Sequence, residues 1–131
     1  MATVQRFEDL VAWQKARTLA GEVYLATREQ PFLKDFGLSS QVQRAAVSVM
    51  ANITEGFERR RKTEFYRFVE LAKGSCAGVS SHLYIAFDVG YIDSERFECL
   101  QAQATELQRI LEELRDSLAP TRNSELGPRN S

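Results

Sequence analysis

The sequence predicts an all-α fold, a single antiparallel up-down-up-down four-helix bundle, and three observations carry that prediction. Apolar residues recur at three- and four-residue steps in four separate stretches, the spacing that lays one stripe along a helix. Each gap between stretches holds residues that stop or start helices: Gln30-Pro31, Gly56 with the charged run behind it, and Gly90 to Ser94. No segment alternates with a period of two. Short connections between long helices make sequential neighbours antiparallel. The expected domain spans residues 1–119, with helices at about 8–29, 40–56, 63–89 and 94–118, and residues 120–131 form a polar, flexible tail.

The first helix is read from Leu10, Trp13, Ala16 or Arg17, Ala20, Tyr24 and Thr27, with Glu8-Asp9 suiting its positive end. Trp13 is its largest anchor, a core or subunit-interface residue ahead of a ligand platform. Pro31 stops this helix because it lacks a backbone donor and biases the residue before it away from helical geometry. Phe32, Leu33, Phe36 and Leu38 then form an apolar connector expected to tuck over one end of the bundle. Ser39 or Ser40 is the expected cap of the next helix.

The stretch QVQRAAVSVMANITEG, residues 41–56, organises the rest. Val42, Ala46, Val49 and Ile53 share one side of a helix, and Arg44, Ser48, Asn52 and Glu55 are expected on the opposite side. A solvated face usually carries Lys and Glu, whereas short, directional hydrogen-bonding groups suit a face that meets something. Gly56 is the expected left-handed terminator. After it comes FERRRK, a local positive run, and Thr63 offers the next cap with Glu64 in the first turn.

The third helix has a heptad-like seam: Phe65, Phe68/Val69, Ala72, Cys76, Val79, Leu83 and Ala86/Phe87. Small residues crowd its middle, including Gly74, Ser75, Gly78, Ser80 and Ser81. Glycine in a helix costs about 1 kcal/mol relative to alanine, so this segment is expected to meet another helix at close range. Gly90 serves as the next terminator and Asp93 or Ser94 as the next cap. The fourth helix follows with Phe97, Leu100, Ala104, Leu107, Leu111, Leu114 and Leu118 as its stripe. Pro120 ends it.

Composition narrows the function classes. The chain has 131 residues, 44% hydrophobic and 27% charged, which is globular and long enough for a real core. A net charge of −1 gives no bulk argument for a nucleic-acid partner, but the halves differ. Residues 1–75 hold twelve Lys/Arg against nine Asp/Glu, and residues 76–131 hold five against nine. Cys76 and Cys99 lie in apolar helical patterns without CxxC spacing and are expected to be reduced thiols of a cytoplasmic protein. No signal-peptide pattern or membrane span is expected.

Catalytic patterns are missing. A di-iron centre in a bundle needs Glu-x-x-His pairs, and the single histidine, His82, has Val79 three residues before it. There is no GxSxG elbow, no GxGxxG and no GxxxxGK[ST] loop. Glu55 and Glu58 lack an apolar pocket that would raise a carboxylate pKa. The expectation is a protein that is not an enzyme and takes no cofactor or metal.

The basic stretch is the remaining candidate. Arg59, Arg60, Arg61 and Lys62 precede a helix on which Arg67 and Lys73 continue the charge, and clustered arginines suit bidentate contacts with phosphate. A solvated charged turn balanced by Glu58, Glu64 and Glu70 is the competing reading. Phe57, Phe65 and Tyr66 are candidate base-stacking rings, although core burial suits the two phenylalanines better.

Taken together, FEDLVAWQKA, GLSSQVQRAAVSVMANITEGFERR, EFYRFVELAKGS and the Gly-Tyr-Ile turn resemble the four-helix proteins encoded within intervening sequences of bacterial 23S ribosomal RNA genes. The accessory variability protein of diversity-generating retroelements shares that fold. The resemblance covers about residues 6–118 and implies a ring-like homopentamer. For the retroelement relatives it also implies binding of nucleic acid and a reverse transcriptase through basic surface. Gln41, Arg44, Ser48, Asn52 and Glu55 are the matching motif positions, with expected roles in subunit or helix contacts. One departure falls at Gly78, where relatives commonly carry glutamate.

The expected function is that of a non-enzymatic, oligomeric nucleic-acid-binding protein, for structured RNA in particular, acting through the basic patch without base readout. The alternative is a structural or adaptor protein whose partner is a protein such as a reverse transcriptase.

Overall fold

Four long helices account for most of the chain in the computed structural model, which describes residues 3–120: α1 (Val11–Thr27), α2 (Phe36–Glu58), α3 (Lys62–Asp88) and α4 (Ser94–Leu118). Short 3-10 turns at Phe7–Asp9 and Phe32–Lys34 precede α1 and α2. No strand occurs among the described residues, in line with the lack of any period-two segment. No described helix is long and apolar enough to cross a membrane. All of the predicted tail after Pro120 lies outside the described residues.

The core is built from one stripe per helix. Val42, Ala46, Val49 and Ile53 of α2, with Val69, Ala72, Cys76, Val79, Leu83 and Ala86 of α3, are buried together with Leu100, Ala104, Leu107 and Leu111 of α4. Each fully buried Val, Leu or Ile contributes on the order of 1.5–3 kcal/mol by leaving water. These three stripes fall where the periodicity places them.

The stripe of α1 matches the predicted one only in part, at Ala16, Ala20 and Thr27. Ala12, Ala16, Leu19, Ala20, Val23, Ala26 and Thr27 face the core, whereas Leu10 and Trp13 are half-buried and Tyr24 is exposed. The face that packs inward is mostly alanine, so α1 approaches its neighbours on small side chains and holds its large rings at the rim. Trp13 there meets Phe7 edge-on, with ring centroids 5.2 Å apart, and lies under the Arg17 guanidinium. Glu8 and Asp9 belong to the preceding 3-10 turn, and extended Leu10 separates them from α1.

α2 starts earlier and ends later than predicted. Asp35, not a serine, caps it: Oδ1 accepts from the Leu38 amide at 3.0 Å, leaving Ser39 and Ser40 inside the helix. Tyr91 donates its hydroxyl to the other carboxylate oxygen at 2.8 Å and stacks on Phe32, which ties the α1–α2 connection to the α3–α4 turn. Only part of the connector is the expected plug. Phe32 is buried, but Leu33 is exposed and Phe36 is 76% exposed.

Gly56 is not the terminator of α2. The helix runs through it to Glu58, and the left-handed residue is Arg60, with φ 61°. Gly56 is buried where α2 meets the first turns of α3, and a Cβ there would stand 2.6 Å from the Phe68 Cβ. Here, and not at the glycines of α3, one helix needs a residue without a side chain. A Cβ at Gly74 would meet nothing within 4 Å, and one at Gly78 only the Ala45 Cβ at 3.9 Å. Two expectations hold at the next turn: Gly90 has φ 86°, and Asp93 caps α4 by accepting from the Arg96 amide at 2.8 Å.

Candidate nucleic-acid interface

The α2–α3 turn consists of Arg59 to Arg61, between Glu58 at the end of α2 and Lys62 at the start of α3. Arg59 closes α2, its amide shared between the carbonyls of Glu55 and Gly56 at 3.3 Å each. The Arg60 amide bonds the Phe57 carbonyl at 3.1 Å, and Arg60 takes the left-handed geometry that glycine adopts more readily. Arg61 returns to extended geometry as the N-cap of α3, without a side-chain cap, so Thr63 does not serve as the expected cap. The chain therefore reverses over Arg59 to Arg61 and displays successive side chains at the tip.

The six predicted phosphate-binding residues divide into three groups. Arg60, Arg61 and Lys62 are exposed and make no ion pair among the described residues. Arg60 instead donates to the Gln5 carbonyl at 3.3 Å and lies over the Phe57 ring at 4.7 Å. Arg59 and Arg67 stand beside them but are shared with carboxylates: Arg59 with Glu55 at 3.0 Å and Glu64 at 3.7 Å, Arg67 with Glu64 at 3.2 Å. Both also flank the Phe68 ring, at 5.1 and 5.3 Å. Exposed pairs of this kind are worth about 0–1 kcal/mol, so a phosphate can compete for either arginine.

Lys73 does not join the cluster. Its ammonium pairs with Glu112 of α4 at 3.6 Å, its side chain is only 18% exposed, and its carbonyl accepts from Gln108. It belongs to the α3–α4 seam, where Arg115 also pairs with Glu70 at 3.1 Å. The aromatic candidates are occupied as well. Phe57 and Phe65 pack edge to face with centroids 5.9 Å apart, Phe57 is buried, and Phe65 and Tyr66 are half-buried. The segment before α1 adds what the sequence did not suggest, since the Gln5 carbonyl holds Arg60 across 55 positions. No local pattern marks such a contact.

The polar row of α2 lies beside the core stripe, not behind it, and α3 covers much of it. Ser48 and Ser75 share a hydrogen bond at 2.9 Å, and Asn52 donates to the Ser48 carbonyl and hydroxyl at 2.9 and 3.1 Å. Gln41 Oε1 meets His82 Nε2 at 2.8 Å, and His82 Nδ1 contacts the Gly78 carbonyl. The face expected to meet something meets a helix of the same chain. Glu55 turns to Arg59, and Arg44 is exposed with no ion pair or side-chain hydrogen bond among the described residues.

The remaining chemistry is quiet. Cys76 is buried beside the Ala104 carbonyl, and burial pushes its thiol up to about 11, while Cys99 is exposed; both are free. Among the described residues no group of three or more His, Cys, Asp and Glu could hold a metal ion. Near the turn, an open and mostly apolar groove runs between the start of α1 and α2, lined by Phe7, Trp13, Val47, Met50, Ala51 and Thr54.

Comparison with known proteins bears on the same four helices. A family model described as 23S rRNA-intervening sequence protein matches residues 8–113. The chain is also similar to a crystal structure of a protein of unknown function from the S23 ribosomal protein family of Bacteroides thetaiotaomicron. The two share 22% identity and a TM-score of 0.75, over 81% of this chain and 96% of that one. At that identity the likeness is one of fold. No curated protein matches the chain.

Proposed function

This chain belongs to the family of 23S rRNA-intervening sequence proteins, and we propose that it is a non-enzymatic nucleic-acid-binding protein that holds structured RNA by its phosphates. The observation that carries the reading is the run Arg60-Arg61-Lys62: three successive exposed cations without a carboxylate partner among the described residues, at the tip of a helix-to-helix turn. Arg59 and Arg67 extend the run on either side by exchanging Glu55 and Glu64 for phosphate. In this reading Lys73 takes no part, since it pairs with Glu112 of α4. With the nearby rings packed or covered, backbone charge and shape dominate and base identity counts for little.

One such turn is a weak site. In this reading the helices run up-down-up-down as an antiparallel bundle, and protomers assemble as a ring-like homopentamer in the cytoplasm. Repetition of the turn then raises affinity through effective concentration. Sequence resemblance over the QVQRAAVSVMANITEG run supports that assembly. Histidine-based catalysis has no support, because both ring nitrogens of the sole histidine face partners within the chain.

The groove of Phe7, Trp13, Val47, Met50 and Ala51 favours a second reading, an adaptor that takes a protein partner such as a reverse transcriptase on its apolar side. Recovery of partners with and without nuclease treatment separates the two. Loss of every partner on nuclease treatment supports the RNA reading, and retention of a protein partner by nuclease-treated material supports the adaptor.

A further inference from the structure

The basic tip is continuous with the apolar groove between the start of α1 and α2. Glu55 lines the groove and pairs with Arg59 of the tip, and the carbonyl of Gln5, just ahead of the Phe7 turn, holds Arg60. From the tip the groove follows α2 past Thr54 and Ala51 to Val47, which is 42% exposed. Trp13 of α1 forms its other wall. The half-buried indole also lines a second open groove, with Gln14, Arg17 and Thr18, so the ring stands as a partition between two open grooves.

Cations without carboxylate partners flank this groove. Arg17 is exposed, lies over the Trp13 ring at 5.8 Å from its centroid, and makes no ion pair among the described residues. Arg44 is likewise exposed and unpaired, and its spacing from Val47 and Ala51 puts it on the same side of α2, beyond the far end of the groove. At 1.5 Å per residue, about 22 Å of helix axis separates Arg44 from Arg59. The groove's own carboxylate, Glu55, is shared with Arg59, and Glu8 beside Trp13 is shared with Arg6.

We infer that the groove is a track for an unpaired strand of RNA, with a base stacked on Trp13 and the backbone held at Arg17 and Arg44 as the strand leaves the tip. The inference rests on the RNA reading of the tip and narrows its substrate class to a structured RNA with a single-stranded segment beside it. An aromatic ring over an apolar floor, set between cations, suits a single strand, whose bases are free to stack. A duplex keeps its bases inside and offers the groove only phosphates.

Every base has a π face, so the track needs no base readout, in keeping with a tip that holds phosphates. The unpaired arginines favour the strand over the protein partner of the second reading. An apolar peptide segment would use the floor and leave Arg17 and Arg44 without counter-charges, whereas a strand supplies a phosphate with every nucleotide.

Trp13 is the only tryptophan of the chain, so its emission reports the groove directly. The test follows that emission, and the anisotropy of labelled RNA, as nuclease-treated full-length protein meets a blunt hairpin or the same hairpin extended by about six uridines at its 5′ or 3′ end. The expected result is that an extended hairpin quenches Trp13 and binds about fivefold or more tightly than the blunt one, which leaves the emission unchanged. Trp13→Ala removes that advantage without weakening the blunt hairpin. Ala51→Leu, at an exposed position of the floor, does the same by filling the groove without adding charge, and keeps the test decisive if the Trp13 variant fails to fold. Equal affinities for all three RNAs with unchanged emission overturn the inference and leave the phosphate-holding tip standing. No binding of any RNA overturns the tip reading and the inference with it. A protein partner that nuclease-treated material retains and Ala51→Leu loses gives the groove to the adaptor and refutes the strand.

Discussion

Gly56 of α2 stands so close to Phe68 of α3 that a Cβ on it would lie 2.6 Å from the Phe68 Cβ, 2.9 Å from the Phe65 ring and 3.3 Å from the Phe65 backbone. A backbone atom among those neighbours means a side chain cannot be admitted by rotating a flexible tip. This contact positions the α2–α3 turn, because it fixes how α3 leaves the end of α2.

Gly56→Ala is therefore expected to destabilise the protein by about 1–3 kcal/mol through overpacking. Gly21→Ala, at an exposed α1 position where a Cβ meets nothing, should stabilise by about 0.5–1 kcal/mol. Urea midpoints of the two variants decide the matter; equal effects would show that the approach is not tight.

Arg60 supplies a second test of the turn. Arg60→Gly and Arg60→Ala both remove the guanidinium and its contacts with Gln5 and Phe57, but only glycine relieves the φ of 61°. The glycine variant is expected to be more stable than the alanine variant by about 1 kcal/mol. The reverse order in thermal unfolding would contradict left-handed geometry at this position.

The difference between the Gly56 and Arg60 roles shows where reading the sequence stops. Periodicity located the core faces of α2, α3 and α4, because burial imposes a spacing that neighbours in sequence display. It was right on α1 only in part: Ala16, Ala20 and Thr27 fell on the buried face, but Trp13 and Tyr24 drew the stripe away from Ala12, Leu19 and Val23. Glycine after a helical pattern suggests a terminator, and only the position of Phe68 reveals Gly56 as a close-packing residue. The basic tip was legible as a run of charges. The local pairs Arg59–Glu55 and Arg67–Glu64 fit the competing reading of a turn balanced by glutamates, but Arg59–Glu64 and Lys73–Glu112 were not legible, because each joins residues of different elements.

Asp35 gives the fold a pH dependence. The Leu38 amide first, and the Tyr91 hydroxyl second, hold its carboxyl below the ordinary aspartate range. A lowered folded pKa means the stabilisation is fully present above the ordinary value of 3.8 and is lost as pH falls through the lowered value. Asp35→Asn should be less stable than wild type at neutral pH, with the gap narrowing as pH drops below 3.8. A gap that stays constant into acid would remove the carboxylate from this role.

The two thiols should differ sharply in reactivity. Cys99 is exposed and is expected to react with a thiol reagent in native protein, while Cys76, buried and pushed up to about 11, reacts only after unfolding. Mass spectrometry of native protein should find one label, at Cys99. A native label at Cys76 would place an opening in the α3–α4 seam.

The most direct test of the central claim is a titration of structured RNA with nuclease-treated protein by fluorescence anisotropy at several salt concentrations, beside the Arg60→Ala/Arg61→Ala/Lys62→Ala variant. If the turn holds phosphates, affinity falls steeply with salt. The slope of log K against log salt should then be shallower in the variant by about 2 for each engaged turn, three lost contacts at roughly 0.7 each. Equal slopes and affinities for the two proteins, or no binding even at low salt, would contradict it.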